Sequence, residues 1–495
     1  MGVVRRQSIK ILFIYGIGVV VSYFQMLWLL PYCLSTEEIG LVRVIQSASM
    51  LLGVFIPMGA QKVVLRFFPF FKDEEKGHSG LLPFTLAIPF FGTLLWGGLL
   101  YLFKDVFVQL YQERSPLFVD YFFYVLPIAA AIAYHKVFIS YGRSLLKAVI
   151  PNLFQSVMLR IFTSMAVIFY FFELTDRSGM VQGYLLAYLG VAILLLTYCY
   201  GIDRGEGLRT RSRIPKDRIK EMLRFGLYMT FTSAGGILMR TIDDLMVGAM
   251  VGLSGAGIYS IAFLIGVVIE IPKRAVIQTL SPLIAKARKA DDKEKIDDLY
   301  KRSSINNLLL GGLLFLGVWM NLDDLFRIMP KGDHFAEAKE VVLFIALSKL
   351  FGITVGIGSE ILMTSKWYRV NFLSMLGTVP VIVILNLILI PVFGIQGAAL
   401  ATLLASLMLN LVRSGFIWIK EGIQPFSKNS FWTVLLMGLI YLLVSFFPMP
   451  DNALLGIIVR SFTIFFLFAI PAYFMELSED GKQLIDSWIQ KAKKD

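Results

Sequence analysis

The chain has 495 residues, of which 57% are hydrophobic, 14% aromatic and only 17% charged, with a mean hydropathy of +0.71. A water-soluble fold carries about a quarter of its residues charged, so this composition excludes a soluble domain and calls for a lipid environment. The net charge of +12 raises nucleic acid as a partner, but the basic residues sit at one set of loops between apolar runs, where they set topology and meet anionic lipid; no nucleic-acid partner is expected.

About fourteen apolar runs follow in chain order, near residues 11–31, 40–62, 80–103, 118–142, 151–172, 180–201, 222–249, 256–279, 303–322, 338–363, 370–391, 395–418, 430–447 and 454–475. Each is close to or above the roughly 20 residues that a helix needs to cross the hydrocarbon core. The expected fold is all-α, a polytopic membrane protein. With the N-terminus inside, the inner segments collect Arg5, Arg6, Lys10, Arg66, Lys72, Lys76, Arg143 and Lys147, with fourteen more basic residues in 202–220 and 284–302. The outer segments hold only Lys104, Arg114, Arg177, Arg327 and Lys331, the asymmetry of the positive-inside rule. Both termini are therefore expected in the cytoplasm of a bacterial inner membrane. The first run lacks a small-residue cleavage site and is expected to remain as a helix. Cys33 and Cys199 fall at opposite faces and are not expected to pair.

The basic stretch after the sixth run divides the chain into a first lobe (1–201), a cytoplasmic linker (202–221), a second lobe (222–418), two further helices (430–475) and a cytoplasmic tail (476–495). A weak repeat accompanies this division. The outer turn LSTEEIGLVRV after the first run corresponds to LSGAGIYSIAF after the seventh, and Pro57 and Pro272 follow at similar depth. Either the lobes are parallel repeats about an axis along the membrane normal, or two short apolar hairpins match by chance.

No GxxxxGK[ST] loop, HExxH or paired CxxC is present, so no enzyme, resident cofactor or metal site is expected, and transport is expected to run on a gradient. The nearest thing to a nucleophile elbow, GLSGA around Ser254, has the wrong last residue and lies in a tight outer turn. His135 lies in the fourth run beside Lys136; it either packs helices or titrates near neutral pH.

Charges inside the spans carry the signal, because each is costly in hydrocarbon and tends to face a bundle interior or a water-filled path. Arg43 opens the second span with Gln46 and Ser47 on the same face. In the seventh, Thr230, Ser233, Gly236, Arg240, Asp243 and Asp244 recur at three- and four-residue spacing, a polar stripe expected to line a cavity; the alternative for Arg240 is a local pair with Asp243 or Asp244. In the tenth, Lys349, Gly352, Gly356 and Ser359 or Glu360 share a face, with Lys349 near mid-membrane, and Arg160 is comparably deep. Lys136, Lys273, Arg274 and Arg413 lie close enough to the inner surface to snorkel. Glu270 either pairs with Lys273 and Arg274 on its own helix or holds a proton or cation. Arg43, Arg160, Arg240 and Lys349 make the expected substrate cavity cationic, suited to a phosphate-bearing anion such as pyrophosphate. Asp243, Asp244, Glu270 and Glu360 are the candidates for gating or ion coupling.

The start GVVRRQSIK, the turn TEEIGLVRV, the loop LRFFPFFKD, the stretch MRTIDDLMVGAMVGLSGAGIYSIA and the hairpin PVFGIQGAALAT, in this order and spacing, resemble the multidrug/oligosaccharidyl-lipid/polysaccharide (MOP) exporter superfamily, in its polysaccharide transporter branch with the O-antigen (Wzx-type) flippases. The resemblance implies two pseudo-symmetric six-helix lobes in a V, two extra helices, and alternating access that carries an undecaprenyl-pyrophosphate-linked oligosaccharide to the outer leaflet for lipopolysaccharide or related polysaccharide biosynthesis. It implies membrane lipids, H+ or Na+, and other polysaccharide-assembly proteins as partners. Related lipid II flippases carry an Arg-Asp-Arg arrangement involving the first helix; residues 11–31 hold no charge, which argues against a peptidoglycan precursor. A MATE-type Na+/H+-coupled multidrug antiporter is the alternative. A membrane-embedded polymerase or ligase would need larger outer loops than the roughly fifteen residues available here.

Overall fold

The computed structural model describes residues 2–72, 80–202, 208 and 214–492. Lys76, His78, Lys493, Lys494 and most of the 202–213 loop lie outside the described residues, as do the side chains of Arg5, Arg6 and Arg274. The described residues are helical throughout, with no strand. Large apolar side chains point outward along the helices, among them Phe13 (71% exposed), Phe91 (64%), Ile193 (60%) and Ile419 (77%). Water would not tolerate so much contiguous apolar surface, and lipid does. This is a multi-pass membrane protein.

The packing divides the chain into two compact units, residues 1–257 and 258–495. In the first unit, α1 (Gly2–Phe24) continues through a π-helical turn (Gln25–Leu29) to Cys33. α2 (Thr36–Phe55) starts at a capping box: Ser35 Oγ accepts from Glu38 N, and Glu38 Oε2 accepts from Ser35 N at 3.0 Å, which satisfies two orphan donors at once. α2 ends where Met58 and Gly59 take positive φ, and α3 (Ala60–Phe71) follows. Gly59 is required there twice over, since φ is +76° and a Cβ would lie 2.1 Å from Gly226 O. α4 (Leu81–Leu102), α5 (Lys104–Gln112), α6 (Val125–Ser144), α7 (Leu159–Phe171) and α8 (Arg177–Ile202) complete the bundle. α9 (Lys216–Met250) lies along α2 and α3, with Arg66 stacked over the Phe225 ring at 4.3 Å. The division between the units falls within α10 (Leu253–Val267).

The second unit contains α11 (Ile271–Lys289), α12 (Lys293–Met320), α13 (Lys339–Thr354), α14 (Gly358–Thr364), α15 (Tyr368–Glu421), α16 (Lys428–Ser445), α17 (Ala453–Phe474) and α18 (Glu479–Ala492). One buried cluster joins Ile284, Ile296, Tyr300, Ile361 and Ile417. Another, around Leu308, Leu316, Ile440, Ile464 and Phe468, fastens α16 and α17 to α12. At the far end of α12 the guanidinium of Arg460 donates to Asp324 Oδ2 at 2.8 Å and to Met320 O at 2.9 Å.

Eleven helices among the described residues are long and apolar enough to cross a membrane, or twelve if α13 and α14, bent by 45°, form one span. The remaining expected spans are present in other forms. α15 contains both 370–391 and 395–418: Gly394 has φ 58° and ψ −133°, and a Cβ on Gly397 would lie 2.2 Å from Leu389 O, so the chain doubles back there. The 222–249 run lies in α9, which Arg240, Asp243 and Asp244 make too polar to count with the apolar helices.

Candidate functional site

In the first unit several polar side chains of the spans join into one network. Arg43, Gln46 and Ser47 fall on one face of α2 because they are three and four residues apart. Arg43 Nη2 donates to Asp244 Oδ2 at 3.1 Å, and Ser47 Oγ donates to the same oxygen at 2.6 Å. The Asp244 side chain is 5% exposed and that of Arg43 24%. Arg43 Nη1 also donates to Gln46 Oε1 (3.2 Å), Gln46 Nε2 donates to Tyr188 Oη (3.1 Å), and the main-chain oxygen of Tyr188 meets His135 Nε2 at 2.8 Å. A cleft beside this chain is lined by Val42, Gln46, Tyr184 and Tyr188. Sequence spacing places the three α2 residues together; the α2–α9 contact is a tertiary fact. Asp243 is buried next to it, whereas Arg240 is exposed.

The outer turns that the sequence aligns as a repeat touch one another. A Cβ on Gly40 would lie 1.7 Å from Leu253 O, one on Gly257 would lie 2.1 Å from Thr36 O, and Thr36 Oγ1 is 2.7 Å from Ser254 Oγ. Only glycine permits main chains this close, as in other small-residue helix contacts within membranes.

Arg160 lies about 16 Å along the helical run from residue 149, close to mid-span. Its Nε donates to Ser22 Oγ of α1, and no carboxylate pairs with it among the described residues. Gln25 Nε2 donates to Thr163 Oγ1 at 3.0 Å in the next layer. Two π-helical turns, Gln25–Leu29 and Phe154–Met158, flank this polar layer, and a Cβ on Gly18 would lie 2.9 Å from Ser156 O. Such turns re-aim side chains and concentrate at functional sites.

In the second unit Lys349 Nζ lies 3.5 Å from Glu270 Oε2 and 5.4 Å from the centre of the Phe263 ring. Glu270 thus reaches across to α13. Glu360 is not the partner of Lys349; its Oε2 accepts from Ser359 Oγ at 2.7 Å. Lys273 is turned inward and donates to Gly352 O at 3.3 Å, and Lys136 donates to Gly53 O at 2.7 Å. Neither follows the snorkelling expected of it. Around Gly352 the Nδ2 of Asn410 and the Oγ of Ser406 stand 3.6 and 3.9 Å from where a Cβ would be. Hydrogen-bond donors from two helices, α11 and α15, therefore surround one glycine of a third.

Sequence reasoning missed the buried carboxylate of Glu38, which also accepts from Tyr170 Oη (2.5 Å) and Arg177 Nε (3.3 Å). The Ser-x-x-Glu spacing at 35–38 was the available signal. It also missed Asp324 and Arg460, separated by 136 residues with no local pattern to link them.

The polysaccharide biosynthesis protein family matches residues 8–288, more than half the chain. The chain belongs to that family. It is similar to a probable low-salt glycan biosynthesis flippase, Agl15, of Haloferax volcanii, at 22% identity over 262 residues, 52% of this chain and 54% of that protein. The chain thus spans about half the length of this relative. It is also similar to an uncharacterized membrane protein, MJ1375, of Methanocaldococcus jannaschii, at 23% identity over 425 residues, 82% of this chain and 96% of that one. Among solved structures, the lipid II flippase MurJ in an inward closed conformation superposes with a TM-score of 0.71 at 14% identity, covering 95% of this chain and 99% of that one. An inward-facing MATE-family transporter of the MOP superfamily gives 0.64 at 15% identity, covering 83% and 94%. The chain shares the fold of these two solved structures.

Proposed function

We propose that this protein moves an oligosaccharide linked through pyrophosphate to a polyprenyl carrier, undecaprenyl in a bacterium, from the inner to the outer leaflet of the cytoplasmic membrane by alternating access, with both termini cytoplasmic. The lobes 1–201 and 222–418 are the moving parts in this reading, with the two further helices of 430–475 attached to the second. The observation that carries it is Arg160: a guanidinium near mid-span held by a neutral hydroxyl, with no carboxylate to neutralise it among the described residues. A cation of that kind is costly in hydrocarbon unless it meets an anion during the transport cycle, and the planar fork of arginine suits phosphate oxygens. The Haloferax relative, a probable glycan biosynthesis flippase, and MurJ, a lipid II flippase, agree with such a cargo.

Proteoliposomes containing the purified chain should move a fluorescent polyprenyl-pyrophosphate-linked saccharide to the opposite leaflet, and Arg160→Gln should slow this at least about tenfold, the loss of one charge-assisted contact. Efflux of a cationic dye with no movement of the lipid-linked saccharide would instead support the MATE-type reading.

In the same cycle the Arg43–Asp244 pair and the Gly40–Gly257 contact act as the outer gate. Gly40→Val forces these main chains apart. Transport should fall about tenfold or more while the protein still elutes as a single folded species in detergent; unchanged transport would remove the contact from the gate.

A further inference from the structure

Each unit has a helix break that deprives a carbonyl of its donor. α2 keeps helical geometry through Ile56 (φ −50°, ψ −49°), so the nitrogen of residue 57 stands where a helix places the donor for Gly53 O. That nitrogen belongs to Pro57 and carries no hydrogen. The neighbouring amides are engaged elsewhere: Ile56 N donates to Leu52 O at 2.9 Å and Met58 N to Phe55 O at 3.0 Å. Gly53 is buried, and its carbonyl has no main-chain donor among the described residues. α13 breaks in the same manner just after Gly352. The amide that would reach Gly352 O in a continuous helix is that of Gly356, which at φ +67° donates to Ile353 O at 2.9 Å instead, while Val355 N goes to Phe351 O at 3.1 Å. In hydrocarbon no water replaces a lost donor, so a neighbouring element must supply one.

In both units a lysine of the adjoining helix supplies it. Lys136 Nζ of α6 donates to Gly53 O at 2.7 Å, and Lys273 Nζ of α11 donates to Gly352 O at 3.3 Å. Close helix contacts lead each lysine to its carbonyl. A Cβ on Gly53 would lie 2.9 Å from Ile132 Cγ2, and Lys136 follows Ile132 by one turn on the same face of α6. A Cβ on Gly266 would lie 2.8 Å from Ile345 Cγ2, and Lys273 and Gly352 lie two turns beyond these residues along their own helices. Neither ammonium has a carboxylate at ion-pair distance among the described residues. A lysine this close to the inner surface reaches water with its stem alone, so turning inward needs a reason, and the orphaned carbonyl is one.

We propose that Lys136 and Lys273 are positioning residues for transport: each stands in for the missing main-chain donor at a helix break and so sets the direction in which the chain continues beyond it. The direction matters in the first unit because α9 is held on both sides of the break. On the outer side Arg43 of α2 donates to Asp244, and on the inner side a Cβ on Gly59 would lie 2.1 Å from Gly226 O. A change of angle between Gly53 and Gly59 moves one of these contacts against the other. In the second unit Lys349, which meets Glu270, lies one turn before Gly352 on the same helix, so the capped break borders that pair. The inference goes beyond the cargo proposed above and does not depend on it.

The test is a double-mutant cycle at Lys136 and Pro57 on the purified full chain, read by thermal unfolding in detergent and by transport in proteoliposomes. Lys136→Met leaves a buried carbonyl unsatisfied, which is worth about tenfold in an equilibrium. Tm should fall by at least about 2 °C and transport by about tenfold. Pro57→Ala returns an amide hydrogen facing Gly53 O, so adding Lys136→Met to Pro57→Ala should cost little in either readout. Lys136→Arg keeps a donor and should retain most of both. Should Lys136→Met not fold, recovery of a folded species in the Pro57→Ala background is the same result. Wild-type Tm and transport in Lys136→Met, as for a lysine that lies in water, would overturn the proposal. So would a loss of equal size with and without Pro57→Ala, the outcome for a lysine that binds cargo or only packs by its stem. The Tm readings need no cargo, so they stand or fall apart from the lipid proposed above. In the second unit Lys273→Met should lower Tm by a similar amount and Lys273→Arg should not; a Lys273→Met variant as stable as wild type would overturn the assignment there.

Discussion

Charge reversal at Arg43 should abolish transport, and a second reversal at Asp244 should restore part of it. The single change Arg43→Asp replaces a guanidinium 3.1 Å from Asp244 Oδ2 with a carboxylate, next to a carboxylate whose side chain is 5% exposed. Removing one partner of a buried pair costs about 3 to 5 kcal/mol, because the other charge is left without compensation. At about 1.4 kcal/mol per tenfold, the closed arrangement of α2 and α9 becomes at least about a hundredfold less favoured. Arg43→Asp with Asp244→Arg reinstates opposite charges at the same place. It loses the Ser47 Oγ donation to Asp244, so recovery should be partial. Arg43→Asp should also lower the Tm, and the double variant should regain most of it. Full rescue of Tm with no rescue of transport would mean that the pair holds the fold without gating; no rescue of either would count against direct pairing as the source of the effect.

Lys349→Gln should reduce export of the lipid-linked saccharide roughly ten- to a hundredfold, the loss of a charge-assisted contact of about 1.5 to 3 kcal/mol. Glu270 makes the cause decidable. Its carboxylate lies 3.5 Å from the Lys349 ammonium, so in one account the lysine only neutralises the acid. In the other, the anionic head group displaces Glu270 and takes the lysine, with Lys273 and Asn410 gathered around Gly352. The two accounts differ in the double variant Lys349→Gln/Glu270→Gln. If the pair is structural, removing both charges removes the carboxylate that has lost its lysine and export returns, because a neutral pair of similar shape is tolerated in low dielectric. If Lys349 binds the head group, the double variant stays impaired and Glu270→Gln alone lowers the substrate concentration for half-maximal export. Export by Lys349→Gln equal to wild type at equal folded protein would remove Lys349 from the site altogether.

What the sequence determines by itself is membrane residence, helical class and the identity of the costly residues. All three follow from local chemistry: runs of about 20 apolar residues have no stable alternative to a helix in lipid, and a charge within such a run is conspicuous wherever it ends up. Arg43, Gln46 and Ser47 share a face by spacing alone, and the glycines of the two outer turns are visible as a repeat. Partner choice belongs to the tertiary structure. Arg43 meets Asp244 across 201 residues, Lys349 meets Glu270 and not Glu360, and Arg160 finds a hydroxyl. Two charges on different helices pair according to helix rotation and depth, which the packing of small residues such as Gly40, Gly59 and Gly257 decides. The kinks are tertiary for the same reason. Proline and glycine mark where a helix can break, but only a neighbouring main chain at 2 to 3 Å, or side chains such as Ser303 and Tyr300 against the α13–α14 bend, decide that it does.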